Sequence, residues 1–422
     1  MRDVLLIGSG GREHALAWKL KQSSRLGKLY IAPGNAGTSA LGENIPIGVM
    51  EFERLADFAQ EKKIGLTIVG PDDPLGEGII DIFKARGLRI WGPTKAAAQI
   101  ESSKSFAKQL MRDAGVPTAE FGIFTEYEKA LTYVHEKGVP IVVKASGLAL
   151  GKGVYVCMNM GDAESALKDI MVDRMFGDSG NEVVVEEFLD GPEISIHAIS
   201  DGTTYLMFPP SQDHKRVFDN DEGKNTGGMG VVGPLTWVSA AHMKDIENSV
   251  VRPTFDALAA RGVEFSGILY PGLIMSSKGP RVLEYNARFG DPECEVYMRL
   301  MKSDILDILS ASADGTLAGQ TLEWNSGFAC CITISSRGYP ETSEKGVVIA
   351  GVEEANRVEG VVVFNMATAL DGGILKTAGG RVLGVSAIGD TLKQALDRAY
   401  EAVGKIHFDG MHFRHDIGAR SL

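Results

Sequence analysis

Three polar residues near position 286 have the types and the spacing that phosphoryl chemistry needs. In the segment "PRVLEYNARFGDPE", Glu284, Asn286 and Arg288 stand two residues apart. Because side chains on a strand alternate between its faces, these three share one face and the apolar Leu283 takes the other. Two hard oxygen ligands suit Mg²⁺, and a guanidinium beside them suits an anionic substrate. Such alternation is also typical of a half-exposed strand, so the segment alone leaves both interpretations open.

A lysine followed by a glycine-rich loop forms a second candidate site. In "PIVVKASGLALGKGVYV", Lys144 ends an apolar run, and the loop after it contains Gly147, Gly151, Lys152 and Gly153. Backbone N–H groups of such a loop, together with one mobile cation, can fold over a polyphosphate. The loop is not a Walker A motif, because no G-x-x-x-x-G-K-[ST] pattern is present. Taken alone, it is a weak indication of nucleotide binding.

Acidic residues end a strand about forty residues further on. In "NEVVVEEFLDGPE" a buried-looking strand ends at Glu186 and Glu187, and Glu193 follows. A strand that leaves its sheet into a polar linker can offer backbone groups to an adenine edge, and a nearby carboxylate can accept from ribose hydroxyls. The alternative interpretation is a solvated acidic turn.

The N-terminal segment "VLLIGSGGREHALAW" is a glycine-rich turn between a strand and a helix. A dinucleotide fingerprint that starts at Gly8 requires a third glycine at the position of Glu13. The second strand should also end in an acidic residue, whereas "APGNAG" places Asn35 there. Both departures count against NAD. The turn at Gly10 and Gly11 can still bind an isolated anion at a helix N-terminus, or its glycines can simply allow close packing.

The elements that must position these residues form four predicted units. Apolar strands alternate with amphipathic helices over the first hundred residues, which favours a parallel sheet with helices on both faces. The helix in "SKSFAKQLMRDAG" ends at Gly115 and Pro117, which indicates a boundary. Smaller α+β patterns follow. The sequence therefore predicts a multidomain α/β and α+β protein with units at 1–118, 119–190, 191–324 and 325–422.

Composition excludes several classes of function. The 422 residues include 43 Lys and Arg against 55 Asp and Glu, a net charge of −12, which leaves no overall basic surface for nucleic acid. No apolar run approaches the roughly 18 residues of a membrane span, and the N-terminal apolar run breaks at Gly8 without the pattern of a secretion signal. The four cysteines lack CxxC spacing, which is typical of reduced thiols. We expect a cytoplasmic protein with neither nucleic-acid nor membrane partners.

The motifs, in their order, resemble the ATP-grasp superfamily through "VVKASGLALGKGV", "VVVEEFLDG" and "RVLEYNARFGDPE". Further segments resemble the glycinamide ribonucleotide synthetase family: "GSGGREHALAWK", "APGNAGT", "TIVGPDDPL", "SQDHKRV", "NTGGMG" and "GGRVLGV". The resemblance extends from the first strand to "FRHDIG" near the C-terminus. The pair "SQDHKR" and "NTGGMG" is its most specific part. Departures from the family pattern are Ser146 (usually Asp), Leu150 (usually Ala) and Ala287 (often Cys).

This resemblance implies a reaction and an architecture. The reaction joins glycine to 5-phosphoribosylamine with ATP, through a glycyl phosphate, and gives glycinamide ribonucleotide, ADP and phosphate in de novo purine biosynthesis. The implied architecture has an N-terminal parallel-sheet domain, an ATP-grasp core of two subdomains with 119–190 as a mobile lid on 191–324, and a small C-terminal α+β domain. A monomer that uses Mg²⁺ or Mn²⁺ is expected.

Residue roles follow from the same resemblance, position by position. The implied catalytic residues are Arg288, Lys144, Asp213 and Lys215, and the implied metal ligands are Glu284 and Asn286. The implied nucleotide-binding residues are Lys104, Lys144, Ser146, Gly147, Gly151, Lys152, Gly153, Glu186, Glu187, Phe188, Leu189 and Glu193. The implied substrate-binding residues are Gly10, Gly11, Gly34, Asn35, Asn225, Thr226, Gly227, Gly228 and Arg288.

Three alternative functions fit the sequence less well. Another ATP-grasp ligase, similar to biotin carboxylase or using formate, would need different acceptor motifs. A nicotinamide-dependent oxidoreductase would use the first domain, against which Glu13 and Asn35 argue. A binding or scaffold protein has no need of Glu284, Asn286 and Arg288 after a glycine loop.

Overall fold

The first unit is a parallel sheet between two apolar layers. In the computed structural model, which describes residues 1–148 and 153–422, its strands are β1 (Arg2–Gly8), β2 (Leu26–Pro33), β3 (Glu43–Asn44), β4 (Leu66–Val69) and β5 (Ile90–Trp91). Its helices are α1 (Gly11–Leu20), α2 (Phe52–Glu61), α3 (Asp72–Glu77) and α4 (Ile79–Ala85). All pairings are parallel, in the order β3-β2-β1-β4-β5. Alternate residues of β1 enter different apolar clusters, Leu6 beside Leu16 of α1 and Leu5 beside Leu55 of α2, so both faces of the sheet are covered.

Two helices connect this sheet to a small antiparallel unit. They are α5 (Lys95–Ser102) and α6 (Lys104–Ala114), and Gly115 ends the second in a left-handed conformation. The small unit contains β6 (Phe121–Phe124), α7 (Tyr127–Lys137), β7 (Ile141–Ala145), β8 (Val154–Cys157), α8 (Met160–Leu167) and β9 (Val183–Glu187). Its sheet has the order β6-β9-β7-β8 and a separate apolar core that includes Val143, Leu167 and Val185.

The third unit supplies a second antiparallel sheet. Its strands are β10 (Glu193–Ser195), β11 (Ala198–Asp201), β12 (Tyr205–Met207), β13 (Gln212–Asp213), β14 (Arg216–Phe218), β15 (Glu222–Asn225), β16 (Gly230–Gly233), β17 (Ser266–Ser276) and β18 (Gly279–Asn286). Its helices are α9 (Ala240–Ile246), α10 (Arg252–Ala260), α11 (Glu293–Leu300) and α12 (Ile305–Ala313). The sheet has the order β10-β17-β11-β12, and β18 also pairs with β17.

The last unit extends a sheet that begins in the third. It contains β19 (Phe328–Ser335), α13 (Val352–Ala355), β20 (Val361–Asn365), β21 (Thr368–Asp371), β22 (Ile374–Thr377), β23 (Arg381–Gly389) and α14 (Leu392–Val403). The sheet order is β13-β16-β19-β23-β20. Strands β13 and β16 therefore join the two units, which places Asp213 at their junction.

The mixed α/β and α+β class that the sequence predicts is confirmed, with a parallel sheet first and antiparallel sheets after it. The residue limits of the four units stay a prediction. Across the described ranges, no helix is both long and apolar enough to span a membrane.

Candidate active site

A cavity of about 400 Å³ lies where the units meet, and it collects most of the predicted site residues. Its volume falls within the range of small-molecule sites, roughly 300–1,000 Å³. The predicted residues that line it are Lys104, Lys144, Gly153, Glu186, Glu187, Phe188, Leu189, Glu193, Asp213, Lys215, Asn225, Thr226, Gly227, Glu284, Asn286 and Arg288. The nucleotide motifs and the "SQDHKR" and "NTGGMG" segments thus face one space.

Other predicted residues lie elsewhere. Among the described residues, those that do not line the cavity are Gly10, Gly11, Gly34, Asn35, Ser146, Gly147 and Gly228. Gly151 and Lys152 lie outside the described residues. The side chain of Asn35 is occupied by the fold: its amide donates to the carbonyls of Ser9 and Asn365, each at 2.8 Å. Asn35 therefore joins the N-terminal turn to the last unit, and no free polar group of it faces the cavity.

Ser146 and Gly147 hold the start of α6 at Lys104 and do not line the cavity. The buried Ser146 hydroxyl accepts from the Ser105 N–H at 3.1 Å, and the Ser146 carbonyl accepts from the Lys104 N–H at 2.7 Å. The Gly147 carbonyl accepts from Lys104 Nζ at 3.3 Å. The start of the glycine loop is thus tied to the N-terminus of α6.

The metal-ligand candidates project from the end of β18. Strand β18 pairs with β17 through an irregularity, since Gly272 faces Glu284 while Leu273 faces Val282. The strict alternation expected from the sequence breaks at this bulge. As a result Leu283 lines the cavity together with Glu284, whereas the sequence placed it on the opposite face.

Glu284 is an ionised carboxylate among cations. Burial opposes its ionisation, but Lys215, Lys144 and neighbouring cations outweigh that cost and hold the pKa of Glu284 below its ordinary value. In the described part of the chain, no hydrogen bond to its side chain is found, so both carboxylate oxygens remain for a ligand. The Asn286 Oδ1 accepts from Arg288 Nη2 at 3.0 Å.

Glu186 lies between two lysines. Lys108 and Lys144 both form ion pairs with its carboxylate, and all three side chains are almost fully buried. Lys144 also donates to the Leu283 carbonyl at 3.1 Å. Burial lowers the pKa of Lys108 to about 8, although Glu186 acts in the opposite direction. Lys108 was not among the predicted site residues, because in the sequence it resembles any other lysine of a helix.

A second charged group surrounds Asp213. Lys215 Nζ lies 3.0 Å from Asp213 Oδ2. Burial raises the pKa of Glu293, but Lys215 and the hydrogen bonds from Tyr270 and Ser195 hold it below its ordinary value. The Glu293 carboxylate accepts from Tyr270 at 2.5 Å and from Ser195 at 2.8 Å. Glu293 belongs to the quoted "GDPE" segment, yet its position in the cavity depends on the turn into α11.

Three further cavity residues were missed: Glu101, Arg12 and Arg381. Arg12 donates to Glu13 at 2.6 Å and to the Phe289 carbonyl at 3.0 Å. Arg381 lies 3.1 Å from the Asp291 carboxylate and donates to the Gly227 carbonyl at 2.7 Å. The segment "GGREH" contains Arg12 and the segment "GGRVLGV" contains Arg381. Both segments were among the motifs that carry the resemblance, so each arginine could have been selected from the sequence.

The donor set fits a hard divalent cation held partly by substrate phosphates. No group of three or more His, Cys, Asp or Glu able to hold a metal is found within 1–148 and 153–422. Mg²⁺ commonly takes only one or two protein carboxylates and completes its shell with phosphates and water. The unbonded, ionised Glu284 beside the Asn286 amide oxygen satisfies that requirement.

Comparisons with known proteins identify one family along the chain. Models of the phosphoribosylglycinamide synthetase family match its N domain at residues 2–101, its ATP-grasp (A) domain at 102–294 and its C domain at 329–420. The chain is 47% identical over 420 residues to the phosphoribosylamine–glycine ligase of Mesorhizobium japonicum, covering 100% of this chain and 98% of the relative. It is 46% identical to the enzyme of that name from Pseudomonas aeruginosa, covering 100% of this chain and 98% of the relative.

One solved structure supports the same family, and a more distant one shares only the fold. The phosphoribosylamine–glycine ligase of Thermotoga maritima superposes with a TM-score of 0.85 at 33% identity, covering 98% of this chain and 100% of that one. A biotin carboxylase from Campylobacter jejuni shares the fold, with a TM-score of 0.72 at 16% identity over 97% of this chain and 92% of that one. The chain therefore belongs to the phosphoribosylglycinamide synthetase family of ATP-grasp proteins.

Proposed function

We propose that this protein ligates glycine to 5-phosphoribosylamine at the expense of ATP, giving glycinamide ribonucleotide, ADP and phosphate in de novo purine biosynthesis. The observation that carries the proposal is the meeting, in one cavity, of the nucleotide motifs with Asp213, Lys215 and the 225–227 segment. The family match and the identity to named relatives along the chain support the specific substrates as well as the reaction class.

The chemistry explains why the cavity is rich in charge. A carboxylate does not react with an amine directly. The γ-phosphoryl group of ATP therefore passes first to the glycine carboxylate and leaves ADP. The amine of phosphoribosylamine then attacks the glycyl phosphate and displaces phosphate. Phosphoryl transfer depends chiefly on positioning and on neutralising charge. Lys104, Lys144 and Arg288 supply that positive charge in this chain, and all three line the cavity.

The nucleotide occupies the end of the cavity beside the small antiparallel unit. Its apolar lining there is typical of a site for a flat base and comprises Val142, Val156, Leu189, Ile274 and Leu283. The backbone of Glu187–Leu189 binds the adenine edge, and Glu193 accepts from the ribose. We assign Glu186 the task of holding Lys144 and Lys108, because both lysines already pair with it.

Mg²⁺ or Mn²⁺ would be held by Glu284 and Asn286, and when bound it supplies further neutralisation of phosphate charge. Arg288 keeps the Asn286 amide oxygen oriented through its 3.0 Å hydrogen bond. The carboxylate of Glu284 is kept ionised by the lysines around it.

The two small substrates occupy the opposite end, against Asp213, Lys215, Asn225, Thr226 and Gly227. We assign the phosphoribosyl group to the side nearer the N-terminal turn. The substrate roles that the resemblance implies for Gly10, Gly11, Gly34, Asn35 and Gly228 stay predictions, since none of these residues lines the cavity. The lid of residues 119–190, with the loop glycines 147, 151 and 153 and Lys152, excludes water from the glycyl phosphate.

We further propose that the protein acts as a monomer. All four cysteines are free and buried thiols, and free thiols are typical of the reducing cytoplasm.

The test is an assay of ADP release with ATP, Mg²⁺ and each carboxylate and amine, singly and combined. We expect rapid release only when glycine and phosphoribosylamine are both present, with at most a trace from glycine alone. Equal rates with bicarbonate or formate in place of glycine would leave the ATP-grasp class and remove the specific assignment.

A further inference from the structure

Arg288 is held by a glutamate that reaches it from another unit. Glu101 is the penultimate residue of α5, and α5 packs against β18. One oxygen of Glu101 lies 2.9 Å from Arg288 Nη2, and its other oxygen accepts from the Ala287 N–H at 2.7 Å. A single carboxylate thus fixes both the guanidinium and the backbone that carries it.

The remaining contacts of Arg288 leave one guanidinium nitrogen, Nε, without a partner among the described residues. Nη2 also donates to Asn286 and Nη1 donates to the Phe289 carbonyl at 3.3 Å. Among the described residues, the buried Nε–H has no hydrogen-bond partner. The side chain still lines the cavity and stays 19% exposed, so its guanidinium can pair with an anionic oxygen of a substrate.

Glu101 is itself in an unfavourable environment. Burial raises its pKa to about 7, Arg288 opposes that rise, and Asp72 adds to it. Its side chain is only 8% exposed. A buried carboxylate beside a second carboxylate is costly to maintain, and the cost is offset here by its two contacts at Ala287 and Arg288.

We propose that Glu101 is a positioning residue for the ligase reaction, which orients Arg288 toward the acyl phosphate without itself touching the nucleotide. The inference rests on the proposed function. It assigns to α5, the helix that follows the N-terminal sheet, the task of setting the geometry at the end of β18.

The test is a double-mutant cycle in the full-length chain with Glu101→Gln, Arg288→Met and both changes together. The amide that replaces the Glu101 carboxylate can accept from only one of the two donors, so Arg288 loses its fixed orientation. We expect kcat to fall about 10- to 100-fold, as for other partners that orient a functional group. ATP affinity, measured by nucleotide binding without the other substrates, should change by less than about twofold. In the Arg288→Met background, Glu101→Gln should cause no further loss.

Glu61→Gln is the matched control, because it removes a carboxylate from the exposed end of α2 and should leave kcat unchanged. Full activity of Glu101→Gln, or a loss of equal size in the Arg288→Met background, would overturn the role of Glu101. If Arg288→Met does not fold, Arg288→Gln provides the same comparison. Absence of glycine-dependent ligation in the unmodified chain would instead overturn the proposed function, and this inference with it.

Discussion

At the scale of single residues, the site is organised by cations around one carboxylate. Glu284 lies among Lys104, Lys144 and Lys215, which keep it ionised despite burial. The Glu284 carboxylate receives no hydrogen bond from the described part of the chain. It is therefore free to bind a metal ion. The Glu284 carboxylate therefore matters through its charge more than through its shape.

Replacing Glu284 with Gln should lower kcat by roughly 10²- to 10³-fold, because the change keeps the size of the side chain and removes its charge. Turnover measured against Mg²⁺ concentration checks this, with far-UV circular dichroism to show that the fold is intact. Glu359→Gln makes the same change on an exposed side chain and should have no effect. Near-normal turnover of Glu284→Gln at limiting Mg²⁺ would place the metal site elsewhere.

Leu283 is not a suitable control for that experiment. Strict alternation would turn it away from Glu284, whereas the bulge between β17 and β18 brings it to the cavity. We expect Leu283→Met to change nucleotide affinity modestly, since it alters the apolar wall of the nucleotide end.

At the scale of elements, the small antiparallel unit has its own sheet and its own apolar core. Its link to β10 passes through Gly191, whose φ is +145° and where a Cβ would lie 2.7 Å from the Met275 carbonyl oxygen. Only glycine fits this junction without strain. We expect this unit to move as a body because it has its own sheet and core, and the close approach only fixes glycine at the junction.

Adding ATP should slow hydrogen exchange in this lid, because closure over the nucleotide protects backbone amides that open locally without it. The informative amides are those of Gly147 and of β8, next to the nucleotide end of the cavity. Exchange measured by mass spectrometry with and without ATP checks this. The β21–β22 hairpin serves as an internal reference, since it does not line the cavity. Unchanged protection at Gly147 and β8 would argue against a lid.

At the scale of the whole molecule, three buried histidines connect distant segments as neutral rings. His14 accepts from the Asn365 N–H at 2.8 Å, His197 from Gly290 at 3.1 Å, and His214 from Gly418 at 3.0 Å. Burial lowers their pKa values to about 4, about 3 and about 4, respectively. Protonation would remove an acceptor in each case.

These three histidines should therefore lower stability as the pH decreases from about 6.5 toward about 4, because the unfolded chain binds protons that the folded rings exclude. The raised pKa values of Glu101 and Asp213, about 7 for each, act in the opposite direction over the same range, so the histidine contribution is read from the difference between variants. Each histidine contributes a slope of up to about 1.4 kcal/mol per pH unit in that window. Urea unfolding between about pH 7.5 and about pH 5 checks this. His14→Asn keeps an acceptor for Asn365 without titrating there and should flatten the slope, whereas the half-exposed His135→Gln should not. An unchanged slope in His14→Asn would contradict the assignment.

The sequence by itself determined the fold class and the family, because both depend on local order. The alternation of strands and helices in the first hundred residues predicts the parallel sheet, and the motifs from "GSGGREH" to "FRHDIG" identify the relatives. The charges that line the cavity at Lys104, Lys144 and Glu284 were also readable, since they end strands or begin helices in recognisable motifs.

Only the tertiary structure decided which partners those residues have. Glu101 and Lys108 are ordinary helical residues in the sequence, and they become part of the site because α5 and α6 pack against β18 and β9. The substrate role of Asn35 stays a prediction, and the tertiary structure adds that its side chain donates to the carbonyls of Ser9 and Asn365. Contacts between residues hundreds of positions apart depend on how sheets and helices pack, which local patterns do not encode.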